Sequence, residues 1–320
     1  MKKIYLLLLI TSIVFISCSK DDSSSETASL TQEKIETFNF SSYSKMDEKI
    51  DEISLIKEQM ETATVDKYTQ ISDKNTSRNT ISEGLKVYHT DRINNIYSLR
   101  KKLNFTSIQS IADEINSLVI INPIKSNELF ETYKNLLTKN ELQVKTIFEN
   151  RTANVINTKG EVLINGKIED FKINISKNGK YIGDESVKTG VAAYSTNMGL
   201  RVDYSTGREK HKDDFGKTFF RYFTEFNAYL LDTKTGQYIP YPVDFIIISN
   251  SYAGFSQTGS NPLSDFAFTM EYPSGKGTTV RNTGGQKWTA YQTEGGYINA
   301  LFRTKIAPFL TASCDFKYTR

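Results

Sequence analysis

Three textures of apolar and polar positions follow one another along the chain. Ile4 to Ile16 (IYLLLLITSIVFI) is almost wholly apolar. From Phe38 to about Phe148 apolar residues recur every three or four positions, the period of a helix with one buried face. Met46, Ile50, Ile53, Ile56 and Met60 give a first stripe, with Ser44 and Asp47 placed as a capping-box-like start. Asp73–Thr80 is a polar break, and Leu85, Ile93, Ile96 and Tyr97 mark a second helix. Ser107 is expected to cap a third, with Ile108, Ile111, Ile115 and Leu118 as its stripe. Pro123 punctuates, and Ser126 is then expected to cap a helix carrying Leu129, Phe130, Tyr133, Leu136 and Leu137. Thr138 with Glu141 reads as a further capping box, leading to Val144, Ile147 and Phe148.

After Asn154 the period switches to two. Glu161–Ile164 and Lys167–Ile175 flank Asn165-Gly166, the signature of a β-hairpin with a tight turn, and Asn178-Gly179 gives a second such turn. Phe220, Tyr222, Thr224, Phe226, Ala228 and Leu230 form one side of a strand, opposite Arg221 and Glu225. Phe245–Ser249 (FIIIS) is apolar throughout, as a central strand is. Leu310 to Tyr318 alternates strictly and puts Cys314 on the inward side. Further strands are expected near Val191–Tyr204, Phe266–Tyr272, Lys287–Gln292 and Tyr297–Lys305. The pattern predicts an α+β protein: a small helical bundle over residues 35–150, then an antiparallel β-sandwich over 151–320.

The composition narrows the function classes. The 320 residues carry a formal charge of +3, too balanced to point to nucleic acid. The first apolar run has thirteen residues, short of the ~20 that span a hydrocarbon core, and Lys2 and Lys3 precede it. That is the layout of a signal peptide, residues 1–17. It ends on Ser17-Cys18, which resembles the lipobox of bacterial lipoproteins, although Phe15 stands where that motif usually has Leu. The resemblance implies cleavage before Cys18 and acyl chains on it. Lys20-Asp21-Asp22, just behind, resembles the surface-export signal of lipoproteins in Bacteroidota, which implies display on the outer face of the outer membrane. Residues 18–34, rich in Ser, Thr and acids, then read as a flexible tether. With Cys18 acylated, Cys314 has no disulfide partner among the two cysteines, and the fold rests on its core.

Chemistry-bearing residues are few. His89 and His211 are the only histidines, and no spacing of His and Cys suits zinc, so no cofactor is expected. His211 lies in a charged stretch, Arg208 to Asp214, that reads as a solvated turn rather than as a base with Asp213 or Asp214. Ser274-Gly275-Lys276-Gly277-Thr278-Thr279 lacks the upstream glycine and the following helix of a phosphate loop and reads as a strand connection. Asp203, Glu225, Asp244, Asp265 and Glu271 are candidates for the two carboxylates of a glycosidase, but sequence does not pair them. Most of the 18 Tyr and 19 Phe, and the single Trp288, lie beyond residue 150. Trp288 with Tyr291 and Gln286 is a candidate platform for a glycan or protein ligand, an aromatic ring beside amides. The leading expectation is a lipid-anchored surface protein acting as a non-catalytic binding or interaction module. The alternative is a surface glycan hydrolase using two carboxylates of the β-region.

Overall fold

The computed structural model describes residues 37–72, 78–148, 151–171, 185–195, 199–212, 215, 218–232, 236–256, 263–269, 275–282, 292–304 and 311–319. Within them the chain is α+β, with helices α1 (Tyr43–Ser72), α2 (Arg78–Leu103), α3 (Ile108–Ile121) and α4 (Pro123–Tyr133) ahead of long antiparallel strands. Helix α1 starts slightly before Ser44, because the Ser42 hydroxyl accepts the Lys45 N–H at 3.3 Å. Its stripe buries Met46, Ile50 and Ile53. Helix α2 ends on Arg100, Lys101 and Lys102, cations against the negative end of the helix dipole. Asn104 at φ +48° then closes it, and the Phe105 N–H reaches back to the Arg100 carbonyl.

Helix α3 forms as the spacing predicts. Ser107 caps it by accepting the Ser110 N–H at 3.1 Å, and Ile108, Ile111, Ile115 and Leu118 are all buried. Asn122 ends α3 through its own N–H and starts α4 by accepting the Lys125 N–H, with Pro123 in the first turn. The expected cap at Ser126 is therefore wrong. Ser126 lies inside α4, and its hydroxyl donates to the Ile115 carbonyl at 3.1 Å.

The helix expected after Thr138 is a hairpin of β2 (Leu137–Lys139) and β3 (Val144–Thr146). Asn140 decides it: its side-chain oxygen accepts the N–H groups of Leu142 and Gln143 at 2.9 and 2.8 Å, an alternative to a helical turn. The Asn116 amide of α3 then brackets Val144, accepting its N–H and donating to its carbonyl, both at 2.8 Å. A segment this short has little helical stability of its own to oppose that.

The hairpin of β4 (Glu161–Ile164) and β5 (Lys167–Asp170) turns at Asn165 and Gly166, both at positive φ. Strand β1 (Asn39–Phe40), which precedes α1, pairs parallel with β4. One core accordingly takes Phe40, Ile53, Ile111 and Ile115 from the helical stretch together with Val155, Ile156, Val162 and Phe171. Residues from Ile35 onward form one compact unit, and this core crosses residue 150.

Two five-stranded sheets follow. The first runs through β6 (Glu185–Ser195), β7 (Leu200–Lys212) and β8 (Thr218–Asp232), whose free edge pairs with β9 (Gln237–Pro240) and β13 (Thr279–Asn282). The second centres on β10 (Val243–Ser256), with β14 (Gln292–Thr304) and then β15 (Thr311–Thr319) on one side and β11 (Leu263–Thr269) and β12 (Gly275–Gly277) on the other. Within the apolar run Phe245–Ser249, Phe245, Ile246, Ile247 and Ser249 pair with β14, and among the described residues Phe245 also pairs with β12 on the other edge. Two expectations are corrected here. Val191–Tyr204 spans two strands, β6 and β7. His211 belongs to β7, paired opposite Phe219, because the charged stretch extends the β7–β8 ladder instead of breaking it.

The two sheets meet where β12 gives way to β13. Gly275–Gly277 pairs with β10, Thr279–Asn282 pairs with β8, and Thr278 is the crossing point. Ala228 ties the crossing together, donating to the Thr278 carbonyl and accepting the Tyr241 N–H, each at 2.9 Å. Gly277 sits there at φ +146°, and a Cβ on it would lie 2.6 Å from Glu61 Cγ of α1. Gly277→Ala is therefore expected to destabilise by about 1–3 kcal/mol from backbone strain alone, measured by urea denaturation. The edge strands β6 and β15 also lie beside each other.

Candidate functional site

Two polar assemblies stand where the helices and sheets come together. The first is on the helices. Glu61 of α1 accepts from Arg92 Nε at 3.0 Å, from the Tyr88 hydroxyl and from the Thr278 N–H at 3.4 Å. Arg92 also donates to Ser117 at 3.3 Å. The guanidinium is held above its ordinary range, because Glu61, Tyr88 and Asp113 outweigh a burial that alone would lower it. Burial, then the Glu61 charge, drives the Tyr88 phenol well up.

Beside this group Lys57 donates to Asp113 at 2.7 Å and to Asn154 at 3.0 Å. Burial would raise the Asp113 carboxyl, but Lys57 and the more distant Arg92 hold it below the usual carboxylate range. Arg100 donates to Glu114 at 2.6 Å, and Glu114 also takes the Tyr97 hydroxyl. A cavity of about 60 Å³ lies among these pairs, lined in part by Ile53, Met60, Leu99 and Phe105. Every carboxylate here is engaged by a cation, so the assembly fastens α1, α2 and α3 together and leaves no group poised to move a proton.

His89, on the same helix as Arg92, is fully buried. Its Nε2–H donates to the Pro240 carbonyl at 3.3 Å, which leaves Nδ1 as a bare acceptor without a partner. Burial, and secondly Arg92, lowers its pKa to about 3. A ring so enclosed and so weakly basic acts as a structural tie.

The second assembly is on the first sheet. The ladder sets Asp203 opposite Asn227, Ser205 opposite Glu225 and Arg201 opposite Tyr229. Asp203 and Glu225 therefore share one face, diagonally placed on adjacent strands, a spacing of about 7–8 Å between backbones. Arg201 grips Asp203 through two bonds, at 2.6 and 3.1 Å. Asn227 donates to Glu225 at 3.2 Å and accepts from the Thr279 hydroxyl at 2.8 Å. Lys145 of β3 stands 3.9 Å from Glu225, and the Tyr238 ring of β9 lies under the Arg201 guanidinium at 5.6 Å. Asn227 and Tyr229 form a floor only 4% and 2% exposed, while Asp203 and Glu225 stay 22% and 19% open as its walls. Burial, then the charges of Asp203 and Glu225, raises the Tyr229 phenol.

The chain matches no protein-family model, no curated protein and no solved structure.

Of the five acids read from the sequence, this ladder brings two together. Asp244 is buried on β10, in register with Lys276 and Arg303, and Asp265 lies on β11. Glu271 falls outside the described residues. So do Cys18, Lys20, Asp21 and Asp22, and the candidate platform of Trp288, Tyr291 and Gln286. Among the described residues no group of acids, His and Cys could hold a metal, and no helix is long and apolar enough to cross a membrane.

Sequence reading missed Arg201, Asn227, Tyr229 and Tyr238, whose proximity depends on strand register. It also missed Glu61, Arg92 and Glu114. Only Glu114 left a trace: it stands at i+3 from Ile111 on the buried stripe of α3, where a carboxylate needs a cation.

Proposed function

We propose that this chain is a lipid-anchored protein of the outer-membrane surface, held by acyl chains on Cys18 and carried outward by Lys20-Asp21-Asp22. Its ordered body serves as a non-catalytic binding module. In finer architecture the helices act as a small bundle beside the tether, and the two sheets act as a sandwich that presents the ligand face. The observation that supports binding over catalysis is the locking of the carboxylates. Glu61, Asp113, Glu114 and Asp203 each face a cation at hydrogen-bond distance, an arrangement that fixes their side chains in place.

A hydrolase is the second reading, favoured by Asp203 and Glu225 sharing one face of adjacent strands, since a glycosidase needs two carboxylates that flank one bond. Incubation of the purified protein with oligosaccharides, assayed for new reducing ends, separates the two. The binding module releases none, whereas a hydrolase releases them and loses that activity in Glu225→Gln.

Cys18→Ala is expected to leave full-length precursor and to abolish membrane attachment, read by mass and by membrane fractionation. Replacing Lys20, Asp21 and Asp22 by alanine should keep the lipid but remove access to external protease. Normal membrane attachment of the Cys18 variant would end the anchoring proposal, and unchanged external proteolysis of the triple variant would end the export proposal.

A further inference from the structure

The cavity between α1, α2 and α3 has a polar neighbour that the fold leaves unmatched. Asn154 lines it and is only 6% exposed. Its Oδ1 accepts from Lys57 Nζ at 3.0 Å, which fixes the orientation of the amide. The Nδ2 end carries N–H donors, and among the described residues nothing accepts from them. Buried donors without an acceptor are rare in folded proteins and call for a reason. Asn95 of α2 also lines the space. Its Nδ2 donates to Thr64 at 2.8 Å, and its Oδ1 has no donor among the described residues.

Every charged side chain on the cavity wall is already paired: Lys57 with Asp113, Arg92 with Glu61, and Arg100 with Glu114. An ion would enter without a counter-charge, whereas a neutral carbonyl needs none. Leu99 and Phe105 make an apolar stretch of the wall, and Met60, Ile96 and Leu103 are its half-buried members. The space, about 60 Å³, is smaller than the roughly 150 Å³ cavity that takes benzene, so it encloses a short alkyl chain only.

We propose that this cavity binds a short-chain acyl amide, with its carbonyl oxygen accepting from Asn154 Nδ2, its N–H toward Asn95 and its alkyl chain along Leu99 and Phe105. The site is built by the helices and the turn at Asn154, so it does not depend on a ligand face of the sheets.

The test uses the full chain in phospholipid nanodiscs, free of detergent, with isotope-labelled methionine methyls followed by NMR. Met60 lines the cavity, and its resonance is assigned by its loss in Met60→Leu. Butanamide is expected to shift that resonance, with an affinity about tenfold or more above those of butanoate and butylamine, which bring a charge. Asn154→Asp keeps an acceptor for Lys57 but removes the donors, and it should weaken butanamide binding about tenfold. Ile96→Phe, which changes no buried polar group, fills the half-buried side of the cavity and should abolish the shift. A Met60 resonance that butanamide leaves unmoved would overturn the proposal. So would butanoate or butylamine binding as tightly as butanamide, or unchanged butanamide affinity in either folded variant.

Discussion

Glu61→Gln lowers the unfolding free energy by about 3–5 kcal/mol, the usual result of removing one partner from a buried ion pair. Glu61 and Arg92 are only 17% and 15% exposed, and their N···O distance is 3.0 Å. The carboxylate accepts three donors from two places: Arg92 and Tyr88 of α2, and the Thr278 N–H at the crossing between the sheets. An amide in its place turns one acceptor into a donor and leaves the guanidinium buried without a counter-charge. Urea denaturation should show a lower midpoint at unchanged slope. The control is Lys45–Glu48, whose side chains are 58% and 60% exposed at the same kind of distance. Breaking that pair should change stability by well under about 1 kcal/mol. Equal effects at the two pairs would mean that burial around Glu61 is not what gives the contact its strength.

Acidification is expected to destabilise the protein through His89. Its pKa is about 3 when folded, against about 6.5 for an unperturbed histidine. Above pH 6.5 the ring is neutral in both states and contributes no pH dependence. As pH falls below 6.5 the unfolded chain takes up a proton that the folded chain refuses, and stability drops by about 1.4 kcal/mol per pH unit until roughly pH 3. The loss over the whole window is about 4–5 kcal/mol. Arg92 beside the ring opposes a second cation, and the ring's one hydrogen bond among the described residues is to a carbonyl that already accepts from Nε2. His89→Leu should flatten the stability profile between pH 6.5 and 4 relative to wild type, even if its absolute stability is lower. A slope that survives the substitution would assign the acid sensitivity to other groups.

These two predictions rest on residues that the sequence did not bring forward. Local order was legible where a single signal governed it. The isoleucine stripe and Ser107 fixed α3, and Asn165-Gly166 fixed the turn between β4 and β5, because helix period and positive φ are properties of neighbouring residues. Where two local signals competed, the weaker was read. Thr138 and Glu141 suggested a helix, yet the Asn140 side chain and the reach of Asn116 from α3 produce a hairpin. The pairing of Asp203 with Glu225 depends on a register across two strands, and that of Glu61 with Arg92 on two helices side by side. Neither is written in residue spacing. The same holds for His89, whose basicity depends on Pro240, which lies far along the chain.

Strand β1 has a consequence for how the protein is made. Asn39 and Phe40 pair with Leu163 and Ile164, so this short strand waits for a partner more than a hundred positions later. Strand β6 waits in the same way to lie beside β15. At ribosomal speeds of about 5–20 residues per second, the emerging chain spends many seconds with its first apolar face uncovered, and such distant contacts form slowly. A newly synthesised molecule thus exposes this face until residue 164 has emerged, and a premature stop before that residue leaves a fragment that cannot close its own interior.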